Sequence, residues 1–262
     1  RVNQTKPLLA DYFLKEADLF LKEKDYGKAD RLYGFSEAVN YSNGSTHFRH
    51  AFALKEGGQL DKAIFHAQES VLIEPENPRF HLLLVRLYDS KGDIVRALFH
   101  AEKVLALWPE YEKKVLLKKQ VESWEGWLQS QKEPNPSSLN QVKSSIQNGH
   151  LEDGIKELTR LMPFKYKDPN IHSLLGTLFM KKEETQKAIV AFRHSVIVQP
   201  DQPALYKILG DLAYQSGQIN PAILYYQKTL KYQPSYAEIS KNLQNLEGLH
   251  ATTPFDRLVQ DS

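Results

Sequence analysis

Small residues recur at a fixed spacing of 34 positions along most of the chain. The series is Ala29, Ala63, Ala97, Gly154, Ala188 and Ala222. Four of the five gaps are 34 residues, and the gap between Ala97 and Gly154 is 57, which is one repeat plus 23. Self-similarity at such a period is typical of arrays of short structural units, so this spacing limits the fold more than any other feature. It predicts two sets of three repeats, which cover 10–43, 44–77, 78–111, 135–168, 169–202 and 203–236.

Each repeat has the pattern of two helices. In the sixth repeat, Leu205, Leu209 and Leu212 follow the three- and four-residue steps of an apolar helical face. Gly217 is placed where the first helix should end, and Pro221 is tolerated in the first turn of the second helix. A single helix pair is too narrow to bury both of its apolar faces, so the pairs are expected to stack.

The segments outside the repeats complete the predicted organisation. The insertion contains one apolar stripe that includes Leu117, Val121 and Trp124, and it predicts a long helix that caps the first three repeats. The predicted division is a first block over 1–131, a linker over 132–137, a second block over 138–249 with its own capping helix, and a tail over 250–262.

The repeat pattern resembles the tetratricopeptide repeat (TPR) family. The sixth repeat matches the family pattern at its fourth, eighth, twentieth, twenty-fourth and thirty-second positions with Tyr206, Gly210, Ala222, Tyr226 and Pro234. The fourth repeat departs most, because Tyr166 stands where the family has proline. The resemblance implies an all-α fold, a right-handed TPR superhelix (α-solenoid) of antiparallel helix pairs with capping helices.

The composition is that of an ordinary globular protein and excludes several classes of function. The 262 residues include 34 Lys and Arg, 32 Asp and Glu, and no cysteine, so disulfides and thiolate metal sites are excluded. A net charge of +2 gives no indication of nucleic acid as a partner. No apolar run is long enough for a transmembrane segment. The chain begins with Arg1, which suggests a processed or excised fragment.

No catalytic motif is found, and we expect a non-enzymatic protein without cofactor or metal. Most of the nine histidines follow the repeat register: His47, His81 and His172 hold the fourth position, and His66 and His100 hold the twenty-third. This regularity favours a packing role. His47 and His50 alone have a local spacing that suits metal ligands, and no third ligand stands near them in the sequence.

The resemblance also implies which residues bind a partner. In TPR proteins the first helices of successive repeats line a concave groove. Residues at the groove positions are Lys15, Phe48, Arg49, Phe52, Arg79, Arg86, Asn140, Lys143, Asn170, Lys181, Lys207 and Tyr214. The members from the first block predict a cationic and aromatic surface, because Arg suits carboxylates and Phe supplies contact area. The members from the second block are more neutral.

One known TPR binding mode is not expected. The dicarboxylate clamp for chaperone tails needs Lys, Asn, Asn, Lys and Arg at five groove positions. In the first block these positions hold Leu14, Asp18, Arg49, Arg79 and Leu83, of which Arg79 alone has a suitable charge.

The predicted function is a protein–protein interaction scaffold or adaptor, with a bacterial envelope, secretion or polysaccharide-assembly pathway as one setting. The expected partner is a protein or peptide, an acidic segment being one candidate. Two alternatives stay open: an accessory domain of a larger enzyme or secretion machine, and an architectural homo-oligomer. The sequence leaves a cytoplasmic and a bacterial periplasmic location open.

Overall fold

The computed structural model describes residues 2–131 and 138–252, and within these ranges all regular structure is helical. The predicted linker at 132–137 lies outside the described residues, as does the predicted tail beyond Thr252. The described helices are α1 (Val2–Lys22), α2 (Tyr26–Val39), α3 (Gly44–Glu56), α4 (Leu60–Ile73), α5 (Pro78–Lys91), α6 (Ile94–Leu107), α7 (Lys114–Ser130), α8 (Ser138–Gln147), α9 (Leu151–Leu161), α10 (Pro169–Lys181), α11 (Thr185–Val198), α12 (Pro203–Gln215), α13 (Ile219–Tyr232) and α14 (Ala237–Thr252).

The helices pack as consecutive pairs. The pairs are α1 with α2, α3 with α4, α5 with α6, α8 with α9, α10 with α11, and α12 with α13. The two remaining helices each pack on the end of a pair: α7 on α6, and α14 on α13. The prediction of an all-α fold built from antiparallel helix pairs is therefore confirmed.

A left-handed residue separates the two helices of every pair. The fifteenth position of each repeat holds Lys24, Gly58, Gly92, Gly149, Glu183 or Gly217, and all six have φ between +61° and +76°. Glycine adopts this conformation at no steric cost, and it ends the first helix sharply. Aspartate side chains cap two of the helices that follow: Asp25 accepts from the backbone N–H of Lys28 at 3.1 Å, and Asp93 accepts from that of Arg96 at 3.1 Å.

Within a pair, the helices approach closely where a small residue faces a large ring. A Cβ atom added to Gly210 would lie 2.5 Å from the ring of Tyr226, and one added to Gly176 would lie 2.5 Å from the ring of Phe192. The ring therefore occupies the space that a side chain at the eighth position would need. Since Ala222 is fully buried, the helices are also held close at the twentieth position.

The helices group into two compact units, each of which contains repeats from both predicted sets. Among the described residues, unit 1 comprises 2–73 and 201–252, and unit 2 comprises 74–131 and 138–200. This grouping cuts across the division of the sequence at 132–137, so the blocks defined by the repeat pattern differ from the compact units of the fold.

In unit 1 a buried carboxylate joins chain segments that are far apart in sequence. Glu69 is fully buried. Its carboxylate accepts hydrogen bonds from the hydroxyl of Tyr225 at 2.6 Å and from that of Tyr41 at 3.0 Å. Nearby, the side-chain amide of Asn220 donates to the backbone carbonyl of Ala38 at 3.2 Å. The second helix of the sixth repeat is thus bonded to the first two repeats.

In unit 2 a second carboxylate has the same role. Glu102 of α6 accepts from the hydroxyl of Tyr166 at 2.8 Å and forms an ion pair with Lys167 at 2.7 Å. An apolar cluster made by α8, α9, α10 and α11 lies in the same unit; its buried members are Val142, Leu158, Leu161, Ile171, Leu175, Leu178 and Ala191.

We predict that Gly210→Ala lowers the free energy of unfolding by about 1–3 kcal/mol, because the new methyl group overpacks the ring of Tyr226. Denaturant unfolding followed by circular dichroism measures the change. Gly34→Ala is the matched control: no atom lies within 4 Å of a Cβ there, so helix propensity should raise stability by about 0.5–1 kcal/mol. Equal effects in the two variants would contradict the close approach.

We also predict that Glu183→Gly stabilises the protein, since Glu183 has a positive φ and is exposed. Removing the side chain relieves about 1 kcal/mol of steric strain, part of which the greater freedom of the unfolded chain offsets. The reverse change at the same position of another repeat, Gly92→Ala, should destabilise the protein in the same unfolding experiment. A loss of stability in Glu183→Gly would show that the turn is not strained.

Candidate functional site

The predicted groove residues are divided between the two units. Unit 1 contains Lys15, Phe48, Arg49, Phe52, Lys207 and Tyr214. Unit 2 contains Arg79, Arg86, Asn140, Lys143, Asn170 and Lys181. Asn140 and Lys143 belong to α8, but their side chains lie outside the described part of the structure. Each unit therefore presents its own candidate surface.

One cation of the predicted first surface has an acidic partner. Arg49 of α3 forms an ion pair with Asp18 of α1. The hydroxyl of Tyr33 donates to the other oxygen of Asp18 at 2.7 Å, and burial, followed by this bond, raises the pKa of Tyr33. Asp18 is therefore held by two partners, and Arg49 is held in place on the exposed surface of α3.

Aromatic area remains open beside this ion pair. Phe52 lies one helical turn after Arg49 and is 37% exposed, whereas Phe48 is half-buried. The ammonium group of Lys55 lies 5.9 Å from the centre of the Phe52 ring and forms an ion pair with Glu56 at 2.7 Å. Lys55 is not among the predicted groove residues, although its position one turn after Phe52 is visible in the sequence.

The sixth repeat has the same arrangement as the first. Asp211 accepts from the hydroxyl of Tyr226 at 2.8 Å and from the ammonium group of Lys207 at 2.8 Å. Asp18 and Asp211 both hold the ninth repeat position, and their tyrosine donors both hold the twenty-fourth. Tyr214, also a predicted site residue, is 52% exposed one turn later on α12.

In unit 2 the predicted residues have different surroundings. The guanidinium group of exposed Arg79 lies 5.9 Å from the centre of the Trp108 ring, a contact that the sequence did not reveal. Arg86 and Lys181 are exposed. Asn170 bonds to the cap residue Asp168 through both its backbone and its side-chain nitrogen at 2.9 Å, so a local role accounts for its position.

In three repeats a histidine at the fourth position bonds the first helix to the residues before it. The Nε2 atoms of His47, His81 and His172 lie 2.8, 2.9 and 3.0 Å from the backbone carbonyls six residues earlier, at Tyr41, Pro75 and Tyr166. A carbonyl oxygen accepts only, so Nε2 carries the proton in each ring. The other ring nitrogen, Nδ1, is then an acceptor in the neutral form. Burial lowers the pKa of His81 and brings that of His172 to about 4.

No family model matches the chain. Over 76 residues, 29% of its length, the chain is similar to the peroxisomal targeting signal receptor of Kluyveromyces lactis at 36% identity and to that of Saccharomyces cerevisiae at 32% identity. The chain spans 13% and 12% of these relatives.

Among solved structures, the chain is similar to the TPR domain of P58(IPK), with 15% identity, a TM-score of 0.42, and coverage of 96% of this chain and 66% of that one. For the TPR2AB domain of yeast Sti1 the identity is 14% and the TM-score 0.41, over 94% of this chain and all of that one. In the present structure each 34-residue repeat contains one helix pair. The small residues Gly176 and Gly210, at the eighth position, lie where the two helices of a pair approach closely. The helix pairs have the fold of tetratricopeptide repeats.

None of the TPR helices, nor any other helix in the described ranges, combines the length and the apolar character needed to cross a membrane.

We predict that acid weakens the TPR fold partly through His172. Its folded pKa of about 4 lies below its ordinary value of 6.5, so the stability present above pH 6.5 is lost as the pH falls toward 4. Between pH 7 and pH 4.5 this corresponds to about 2–3 kcal/mol. His172→Phe should lose less stability than the wild type by that amount in urea unfolding at both pH values. Parallel losses in the two proteins would refute the assignment.

Proposed function

We propose that the chain is a non-enzymatic scaffold that binds an extended or helical segment of a partner protein along the first helices of its repeats. The observation that supports this most is the exposed ring of Phe52 beside the Arg49–Asp18 ion pair on α1 and α3. The partial similarity to receptors of a peroxisomal targeting signal agrees with a receptor-like role.

The surface around Phe52 is suited to a segment that is apolar at one position and acidic or polar at the next. The ring supplies rigid contact area at little entropic cost. The guanidinium group of Arg49 has five N–H donors, and the bond to Asp18 leaves others for a partner carboxylate or backbone carbonyl. Arg49 and Lys55 already have acidic partners. The apolar contact with Phe52 should therefore contribute most of the affinity, and the charges should contribute selectivity.

The partner is proposed to differ from a chaperone tail of the clamp type, because Leu14 and Leu83 stand at two of the clamp positions. Arg79 and Arg86 of unit 2 are proposed as a second set of anchors. The envelope or secretion setting, the accessory-domain alternative and the homo-oligomer stay predictions from the sequence.

We predict that Phe52→Ala weakens binding of peptides selected from a displayed library by about 10-fold or more, the loss typical of a central aromatic contact. Combining it with Arg49→Glu should abolish binding, since the new carboxylate repels an acidic segment. Fluorescence anisotropy with the selected peptides measures both effects.

Phe35→Ala is the matched control, because Phe35 is 43% exposed on α2, a second helix of the same unit. It should leave the affinity unchanged. Unchanged affinity in Phe52→Ala, or an equal loss in Phe35→Ala, would count against the proposed surface. Arg86→Glu tests unit 2 separately.

A further inference from the structure

Three imidazole rings surround one carboxylate oxygen in the interior of unit 1. The Nδ1 atoms of His47, His50 and His66 lie 3.0, 2.9 and 3.1 Å from Oε1 of Glu37. The four residues come from α2, α3 and α4, and all their side chains are at least 85% buried. His47 and His50 are the local pair whose spacing in the sequence suits metal ligands, and folding supplies the third histidine and the carboxylate.

The far nitrogens of two rings are fixed by acceptors. Nε2 of His47 donates to the carbonyl of Tyr41 at 2.8 Å, so Nδ1 is the ring nitrogen that faces Glu37 and His66. Nε2 of His50 lies 2.7 Å from Oδ1 of Asp30. A histidine whose second nitrogen donates to a carbonyl or a carboxylate is the usual arrangement at metal centres, because the bond fixes the tautomer and the ring orientation.

The spacing of three of these atoms matches that of ligands around one small cation. Nδ1 of His47 and Nδ1 of His66 are 3.3 Å apart, and each lies 3.0–3.1 Å from Oε1 of Glu37. Ligands bound at 2.0–2.1 Å in a tetrahedral zinc site are separated by about 3.3 Å. The three atoms therefore form the nearly equilateral triangle that one face of such a site requires.

The negative charge of Glu37 also suits a cation. Burial by itself would raise the pKa of Glu37, but the charges of His47 and His66 outweigh it and hold that pKa well below its usual range. Glu37 is thus an ionised carboxylate in the interior. Burial lowers the pKa of His66. Burial alone would also lower the pKa of His47, but the charge of Glu37 outweighs it and raises that pKa.

We propose that Glu37, His47 and His66 form a binding site for a divalent transition-metal ion, with zinc as the best fit. Two imidazoles and one carboxylate are a ligand set that suits zinc and disfavours Mg²⁺ and Ca²⁺, which prefer oxygen ligands. His50, bonded to Glu37 and to Asp30, is the positioning residue that holds the carboxylate. The ion would connect α2, α3 and α4 and so stabilise the first two repeats.

The next repeat provides an internal control. His81 and His100 hold the same register positions as His47 and His66, but Val71 holds the register position of Glu37. Their Nδ1 atoms are 2.8 Å apart, a hydrogen-bonding distance, and burial lowers the pKa of both rings. The two Nδ1 atoms bond to each other, and the register position of Glu37 holds no carboxylate in this repeat.

The test is calorimetric titration of the full chain with ZnCl₂ after removal of metals with a chelator. We expect one zinc ion per chain, no comparable heat with MgCl₂, and a higher Tm with zinc present. His66→Asn and Glu37→Gln should each weaken zinc binding by more than about 100-fold. This exceeds the loss of about 10- to 100-fold that follows when a residue hydrogen-bonded to a metal ligand is removed. His100→Asn should bind zinc like the wild type.

Circular dichroism checks that each variant is folded; if His66→Asn unfolds, Glu37→Gln, which keeps the shape of the side chain, decides the result. Cobalt in place of zinc should give the strong visible absorption of a four-coordinate ion. The absence of zinc binding by the wild type, equal binding by Glu37→Gln, or a loss in His100→Asn as large as that in His66→Asn would overturn the proposal. None of these outcomes depends on peptide binding at Phe52.

Discussion

The structure depends on how closely two helices of a repeat can approach each other. At Gly176 and Gly210 the ring of the partner helix lies where a side chain would otherwise be, so the pair closes around an aromatic residue. Where the twenty-fourth position holds a small residue instead, as at Ala67 and Ala101, the eighth position is no longer glycine but Ala51 or Val85. A larger residue at one of these two positions is thus matched by a smaller residue at the other, as the dense packing of protein interiors requires.

Carboxylates that accept from several donors are the second recurring element; Glu37 and Glu69 are buried, and Glu102 is partly buried. Glu69 accepts from two tyrosine hydroxyls, Glu102 from a tyrosine and a lysine, and Glu37 faces three imidazoles. An ionised group is costly to bury without donors, so each of these residues restricts its neighbours to arrangements that supply them. In both units such contacts connect repeats from the two halves of the sequence, which apolar packing alone would align less specifically.

Two of the predicted groove cations, Arg49 and Lys207, carry paired charges on the free surface. Acidic residues at the ninth repeat position, Asp18 and Asp211, neutralise cations from the same surface and accept from tyrosines beneath it. What remains exposed is aromatic area with paired charges around it. This arrangement supports the proposal of a partner segment whose apolar side chains provide the affinity.

The sequence by itself determined the repeat length, the helix pairs, the turn at the fifteenth position and the family resemblance. These features depend on residues within one repeat, where helical periodicity and backbone preferences act locally. The positive φ of Lys24 and Glu183 could be inferred only from the glycines at the same position in other repeats. Tertiary structure decided which groups meet across repeats: Arg49 with Asp18, Tyr225 with Glu69, and His66 with Glu37. Those contacts span 29 to 156 residues, and they follow from the packing of helices against one another, which no local pattern of residue types encodes.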